Sequence, residues 1–244
     1  MKTKIAIRNL KKSFGPKVVL DGVDLDVEEK KTLVILGKSG VGKSVLIRII
    51  STLLEPDEGT ITIDGKNILN LNEKNRFNLM DKFGFLFQNG ALFDSLTIWE
   101  NIAFKLINNR GMAQAEAKKI AIQKLEIVDL NSSVADLYPQ ELSGGMQKRV
   151  ALARAIACDP EIIFFDEPTT GLDPITAEKI NNLMVKTTNI TGATAITITH
   201  DIRSAKMISD RIVFLNDGKI CWDGDSSTLD KADDDFVRRF LLIE

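Results

Sequence analysis

Gly37-Lys38-Ser39-Gly40-Val41-Gly42-Lys43-Ser44 fits the pattern G-x-x-x-x-G-K-[ST], a loop that cradles phosphate. Thr32-Leu33-Val34-Ile35-Leu36 before it is a short apolar run of the kind that forms a buried strand. Val45, Leu46, Ile49, Ile50 and Leu53 after it recur at helical spacing. Strand, glycine loop and helix form the context in which the pattern has chemical meaning. Glycines let the backbone curl until successive N–H groups point at phosphate oxygens, and the helix start adds partial positive charge. Lys43 is placed to reach β- and γ-phosphates, and the Ser44 hydroxyl to ligate magnesium. The alternative is a chance glycine turn before a helix. At ordinary glycine frequency such a match arises about one time in a hundred in a chain this long.

The 244 residues are 44 % hydrophobic and 27 % charged, which suits one globular α/β unit with room for an inserted lobe. A net charge of −2 gives no basic balance toward nucleic acid. No apolar run approaches the ~18 residues of a membrane span. Met1-Lys2-Thr3-Lys4 carries charge without an apolar stretch behind it, so no signal peptide is expected. Cys158 and Cys221 stand far apart, outside metal-type spacing, and are expected to be reduced in a cytosolic protein.

Residues 1–30 read as short strands of an antiparallel sheet, with Ile5 and Ile7, then Val23, Leu25 and Val27, alternating with polar neighbours. Lys12-Ser13-Phe14-Gly15 reads as a turn between them. Phe14 is singled out by position: it is either an adenine-stacking ring or a strand-end or core residue. Glu55-Pro56-Asp57-Glu58-Gly59 breaks the chain, and Asp64-Gly65 reads as the turn of a hairpin over residues 60–68. Phe83, Phe85 and Phe87 alternate in a strand predicted to end at Gln88. Between residues 89 and 158 helical stripes dominate: Ile98, Ile102 and Leu106, then Ala117, Ile120, Ala121, Leu125 and Val128. The last helix of this inserted stretch starts near Ser143, with Met146, Val150, Ala153 and Ala157 on one face. Strands over 161–165, 193–199, 211–215 and 219–222 and helices over 174–188 and 201–208 then argue a mostly parallel sheet with helices on both faces. Residues 233–241 read as a short amphipathic helix with acids at its N-end and arginines at its C-end; it packs either on its own domain or across a dimer.

Ile162-Ile163-Phe164-Phe165-Asp166-Glu167 places two carboxylates at the C-terminal edge of a buried strand, where ligands of α/β sheets bind. Neighbours on a strand face opposite ways, so the two acids have separate tasks. Asp166 is expected to hold magnesium, directly or through water, and Glu167 to align or deprotonate an attacking water. His200, the one histidine, follows the apolar run 196–199. A structural role is the ordinary reading of such a residue; a strand ending at the ligand edge favours a γ-phosphate contact. Gln88 ends its own strand at that edge, where a neutral side chain can ligate magnesium or orient water.

Leu142-Ser143-Gly144-Gly145-Met146-Gln147-Lys148-Arg149 completes a set that resembles the ATP-binding cassette (ABC) ATPases over nearly the whole chain and in the family's order. The resemblance implies an α/β fold. Its P-loop NTPase (RecA-like) core and N-terminal antiparallel β-subdomain take up 1–88 and 159–224, an inserted α-helical subdomain 89–158, and a C-terminal helix 225–244. It implies that Phe14 stacks on adenine, that residues 37–44 are the Walker A loop and Gln88 the Q-loop. Ser143, Gly144, Gly145 and Met146 become the signature, Asp166 and Glu167 the Walker B pair, Gly171-Leu172-Asp173 the D-loop and His200 the switch histidine. Met146 stands where the commonest signature has Gln; the Ser143 hydroxyl and the backbone donors remain, so activity is expected. By its chemistry the signature is an anion site at a helix start. The resemblance implies a head-to-tail homodimer with two ATP molecules and Mg2+, each ATP between one copy's Walker A loop and the other's signature, reopening after hydrolysis.

Six of the fifteen aromatics fall within residues 83–104. Phe83, Phe85 and Phe87 read as core. Leu92, Phe93 and Trp99 read equally as core or as a groove for a partner helix. Gln88-Asn89-Gly90-Ala91-Leu92-Phe93-Asp94-Ser95-Leu96-Thr97, the signature and Thr170-Gly171-Leu172-Asp173-Pro174-Ile175-Thr176 look like the ATPase subunit of Mla-type phospholipid transporters. This implies a peripheral protein on the cytoplasmic face of the inner (plasma) membrane, with a permease, an MCE-domain protein and often a STAS-domain protein as partners. The competing reading is the ATPase of an importer for amino acids or another small solute, which shares every catalytic motif. A soluble nucleic-acid or ribosome factor would carry two cassettes or long arms. A regulator without turnover fits poorly with Glu167 and His200.

Overall fold

Ile5, Ile7 and Leu10 facing Val23, Leu25 and Val27 produce two strands of twelve residues each, β1 (Thr3–Phe14) and β2 (Lys17–Glu28), rather than several short ones. Phe14 pairs with Lys17, so the turn is Gly15-Pro16, and Lys12 and Ser13 belong to the strand. The structure is a computed structural model that describes residues 2–243. It comprises two compact units: residues 1–80 with 194–244, and residues 81–193.

In the first unit the chain continues through β3 (Thr32–Leu36), α1 (Lys43–Ile50), β4 (Glu58–Ile63) and β5 (Lys66–Asn67). One antiparallel sheet has the order β2-β1-β4-β5. Asp64 and Gly65 both take positive φ, 51° and 74°, the pairing a two-residue hairpin needs. Helix α1 ends at Ile50, so Leu53 lies beyond it and is half exposed, not on its apolar stripe. α2 (Glu73–Asp81) runs up to the division and buries no residue, which is why no hydrophobic period announces it.

The second unit contains β6 (Phe83–Leu86), α3 (Ile98–Asn108), α4 (Gln114–Ile127), α5 (Gly144–Ala155), β7 (Ile162–Asp166) and α6 (Pro174–Thr191). The expected helical stretch 89–158 lies within it, together with the parallel pair β6 and β7. β6 stops at Leu86, short of Gln88, and Phe87 is exposed rather than core. Phe83 meets the Phe164 ring edge-on at 5.3 Å and Phe85 stacks on it at 5.1 Å. Ile102, Leu106, Ala121, Leu125, Val150 and Ala153 are buried along α3, α4 and α5. Ala157 is buried too but lies past the end of α5.

The chain returns to the first unit with β8 (Thr194–Thr199), α7 (Ile202–Ile208), β9 (Arg211–Asn216), β10 (Lys219–Asp225) and α8 (Asp235–Ile243). Here β3 lies between β8 and β9 and is parallel to both. Leu33, Val34, Ile35 and Leu36 are all buried, the continuous apolar run of a strand covered on both faces. Helix α8 packs on its own unit: Phe236 and Phe240 meet Phe214 edge-on at 6.3 and 5.4 Å, and Val237 is buried. Asp234 caps it by accepting from the Phe236 and Val237 N–H groups, while Arg238 and Arg239 fall mid-helix, not at its C-end.

Candidate functional site

The glycine loop leaves β3 at Leu36 and enters α1 at Lys43. A side chain on Gly37 is impossible without rearrangement, because its Cβ would lie 2.4 Å from the Leu215 carbonyl oxygen. Gly42, at φ 114°, is the N-cap of α1 and brings no side-chain cap, and no acid lies in the first turn. The donors at this helix start are therefore left to a ligand, and phosphate is the ligand that suits them. Lys43 is buried, and its Nζ donates to the carbonyls of Gly37 at 2.6 Å and Lys38 at 3.0 Å, inside the curve of its own loop. Lys38, Ser39 and Gly40 are exposed; Val41 and Ser44 are half-buried. The Lys38 ammonium lies 5.7 Å from the centre of the Phe236 ring.

Phe14 is 48 % exposed at the tip of β1, with the Lys12 Nζ 5.5 Å from its ring centre. It is a strand-end aromatic, not a core one. His200 follows β8 and is exposed.

In the second unit, Asp166 is the last residue of β7 and Glu167 follows at φ 48°. A left-handed backbone at a non-glycine residue costs about 1–3 kcal/mol and is held only where its surroundings fix it. The Glu167 carboxylate accepts from the Thr170 hydroxyl at 2.9 Å. Gln88 is exposed beyond the end of β6, and its carbonyl accepts from Lys148 Nζ. Burial pushes the Lys148 ammonium below its usual range, against the opposing field of Asp166.

Ser143 is the N-cap of α5, its hydroxyl oxygen accepting from the Met146 N–H at 3.4 Å. Asp173 caps α6 by accepting from Ile175 and Thr176 N–H groups at 3.1 and 3.0 Å. Hydrogen bonds from Thr176, with that from the Ile175 N–H, hold its carboxyl below the ordinary carboxylate range. Ser143, Gly144, Gly145 and Met146, at the start of α5, and Asp173, the cap of α6, line one cavity of about 780 Å3. Arg149, Lys179 and Lys186 also line its wall, together with Asp129, which pairs with Lys186 at 2.8 Å; the sequence alone singles out none of these four. Gln88, Asp166 and Glu167 do not line it.

Among the described residues no three His, Cys, Asp or Glu side chains gather into a metal cage. An ion bound through one or two carboxylates and chiefly by substrate phosphates, as Mg2+ is, needs no such cage. Among the described residues no helix is long and apolar enough to cross a membrane.

The chain resembles characterised proteins along most of its length. It is 37 % identical over 237 residues to the intermembrane phospholipid transport system ATP-binding protein MlaF of Haemophilus influenzae, spanning 97 % of this chain and 89 % of that one. It is 36 % identical over 240 residues to the methionine import ATP-binding protein MetN of Legionella pneumophila, spanning 98 % and 70 %. A solved dimeric ATP-binding cassette in a post-hydrolysis state, bound to ADP and Pi, superposes with a TM-score of 0.82 at 36 % identity, over 91 % of this chain and 98 % of that one. The ABC transporter family matches residues 20–170, a single span that takes in the glycine loop, the serine-capped helix and the paired carboxylates. The chain therefore belongs to the ABC transporter family, as an ATP-binding and ATP-hydrolysing subunit.

Proposed function

We propose that this ATPase powers phospholipid movement in a Mla-type transporter, as a homodimer peripheral to the cytoplasmic face of the inner membrane. The observation that carries the reading is likeness to a phospholipid transport ATPase over 97 % of the chain. The phrasing of residues 88–97, between the Q-loop and α3, supports it. A methionine importer ATPase at 36 % identity is the reason to keep the solute-importer reading beside it.

In the proposed chemistry, Phe14 offers its exposed ring to adenine. Gly37, Lys38, Ser39, Gly40, Val41 and Gly42 present backbone N–H groups to phosphate. The Lys43 ammonium, already desolvated, exchanges two carbonyl partners for β- and γ-phosphate oxygens. Ser44, Asp166 and Gln88 are the residues that would hold Mg2+, which neutralises charge developing on the phosphates. Glu167 aligns or deprotonates the attacking water, and His200 contacts the γ-phosphate. Ser143, Gly144, Gly145, Met146 and Asp173 engage the ATP held by the other copy, in a cavity whose wall also carries Arg149 and Lys179.

Residues 89–158 serve as the arm that joins the signature to the permease. Leu92, Phe93 and Trp99 mark the docking surface. Phe93 is 44 % exposed and lies against the exposed Phe104 ring at 4.7 Å, while Leu92 and Trp99 are half-buried. MCE-domain and STAS-domain proteins complete the proposed complex, and nucleic acid has no place in it.

The test is to express the chain with its neighbouring reading frames, purify what a tag on this chain retains, and reconstitute it in proteoliposomes. Phospholipid transport expects a permease and an MCE-domain protein, and ATP-dependent movement of a fluorescent phospholipid. Co-purification with an amino-acid receptor and ATP-dependent uptake of methionine would replace lipid as the cargo.

A further inference from the structure

Gln147, Lys148 and Arg149 follow the signature on α5, and each donates to a main-chain carbonyl of a different loop. Gln147 Nε2 donates to Pro139 O at 2.8 Å, Lys148 Nζ to Gln88 O, and Arg149 Nη1 to Asp129 O at 2.9 Å. A turn and a half further along, Arg154 donates through Nη2 to Gly90 O at 2.6 Å and through Nη1 to Ala91 O at 2.7 Å. Two cations of one helix thus hold three carbonyls within residues 88–91. Gly90 and Ala91 both have positive φ, 69° and 49°, and the chain there turns back on itself, with the Gly90 N–H donating to Phe87 O at 2.8 Å.

Neither cation is a surface ornament. Lys148 is 7 % exposed, and burial pushes both Lys148 and Arg154 below their usual ranges. Desolvating two charges is unfavourable unless strong acceptors receive them. Here the acceptors are backbone carbonyls that no strand or helix would otherwise satisfy.

We infer that Lys148 and Arg154 are positioning residues for Gln88, clamping the 88–91 backbone to the helix whose first turn is the signature. The inference rests on the proposed role of Gln88 in hydrolysis. The clamp fixes the backbone from which the Gln88 side chain projects, so a shift of α5 is passed to Gln88 through charged hydrogen bonds. Neither cation touches nucleotide in this scheme.

The experiment measures steady-state ATP hydrolysis by the full chain, with melting temperature as a control. Lys148→Met keeps length and removes the donor. It is expected to lower kcat about tenfold while the KM for ATP moves less than about threefold, the loss of a charge-assisted hydrogen bond felt in turnover rather than binding. Arg154→Gln is expected to act the same way, and decides the matter if Lys148→Met does not fold. Lys148→Arg keeps a donor and is expected to restore most of the lost kcat. In the double variant with Gln88→Ala, Lys148→Met is expected to add no further loss, because both act through one side chain. Wild-type kcat in Lys148→Met and Arg154→Gln beside an impaired Gln88→Ala overturns the clamp alone. So do losses that multiply in the double variant. Wild-type turnover in Gln88→Ala itself overturns the role of Gln88 and the clamp with it.

Discussion

Lys43 has an unusual resting position for a cation: buried, with two carbonyls of its own loop as partners. Those carbonyls hold the ammonium where a triphosphate can take it over, so little reorganisation separates the two arrangements. Lys43→Ala is expected to raise the Kd for ATP about tenfold or more, the scale of one charge-assisted hydrogen-bonding group. Titration with a fluorescent ATP analogue measures it, and unchanged affinity would take the loop out of its assigned role. Glu167 presents the opposite case, a strained residue kept in the left-handed region at φ 48°. Glutamine has the same shape and can still accept from Thr170, so Glu167→Gln leaves the geometry in place and removes the basic carboxylate. ATP binding is expected to persist while hydrolysis falls by about 10²–10⁴, the usual worth of a positioned base. Near-normal turnover would remove Glu167 from the chemistry. At this scale the sequence was legible wherever a backbone needs glycine or a strand end carries acid, as at Gly37 and Asp166. Lys148 and Arg154 were not, because main-chain carbonyls leave no mark in the sequence.

Helix α3 shows how an element fixes the loop before it beside side chains of its own. Asn101 is fully buried and ties down the loop before the helix. Its Oδ1 accepts from Phe93 N at 2.7 Å, and the two protons of its Nδ2 are shared among the carbonyls of Phe93, Leu96 and Thr97, each at 3.0 Å. Phe93 is thereby fixed at the surface against Phe104. Phe93→Ala is expected to leave nucleotide binding unchanged and to abolish co-purification with the permease; normal assembly and transport would end the docking proposal. Asn101→Ala reaches the same loop from beneath and is expected also to cost about 1–3 kcal/mol of stability, since buried partners are left unsatisfied. Denaturant unfolding distinguishes the two variants. The helical periods of α3 and α4 were plain in the sequence because each buries one face. Helix α2 was silent because it buries none. The sequence carried the alternation of phenylalanines past the end of β6, since nothing in Phe83-Gly84-Phe85-Leu86-Phe87 says that pairing with β7 stops at Leu86.

The proposed function gives one chain two anion sites of related construction, the uncapped start of α1 and the serine-capped start of α5. A triphosphate bridged by both, one from each copy, makes dimer affinity a function of what is bound. Every bridging contact worth about 1.4 kcal/mol changes the dimer constant tenfold. Cleavage of the γ-phosphate removes the group that most of those contacts share, so association and hydrolysis become one cycle. The Glu167→Gln chain stops that cycle at its closed point and is expected to run as a dimer in ATP by size-exclusion chromatography with light scattering, and as a monomer in ADP. Adding Ser143→Arg fills the cavity beside Gly144 with a bulky cation while leaving the α1 loop untouched. That double variant is expected to bind ATP with the same affinity and to remain a monomer. A dimer that forms equally without nucleotide, or that survives Ser143→Arg, would mean that the two sites do not share a phosphate. The link between cleavage and movement would then have to run through some other contact between the copies.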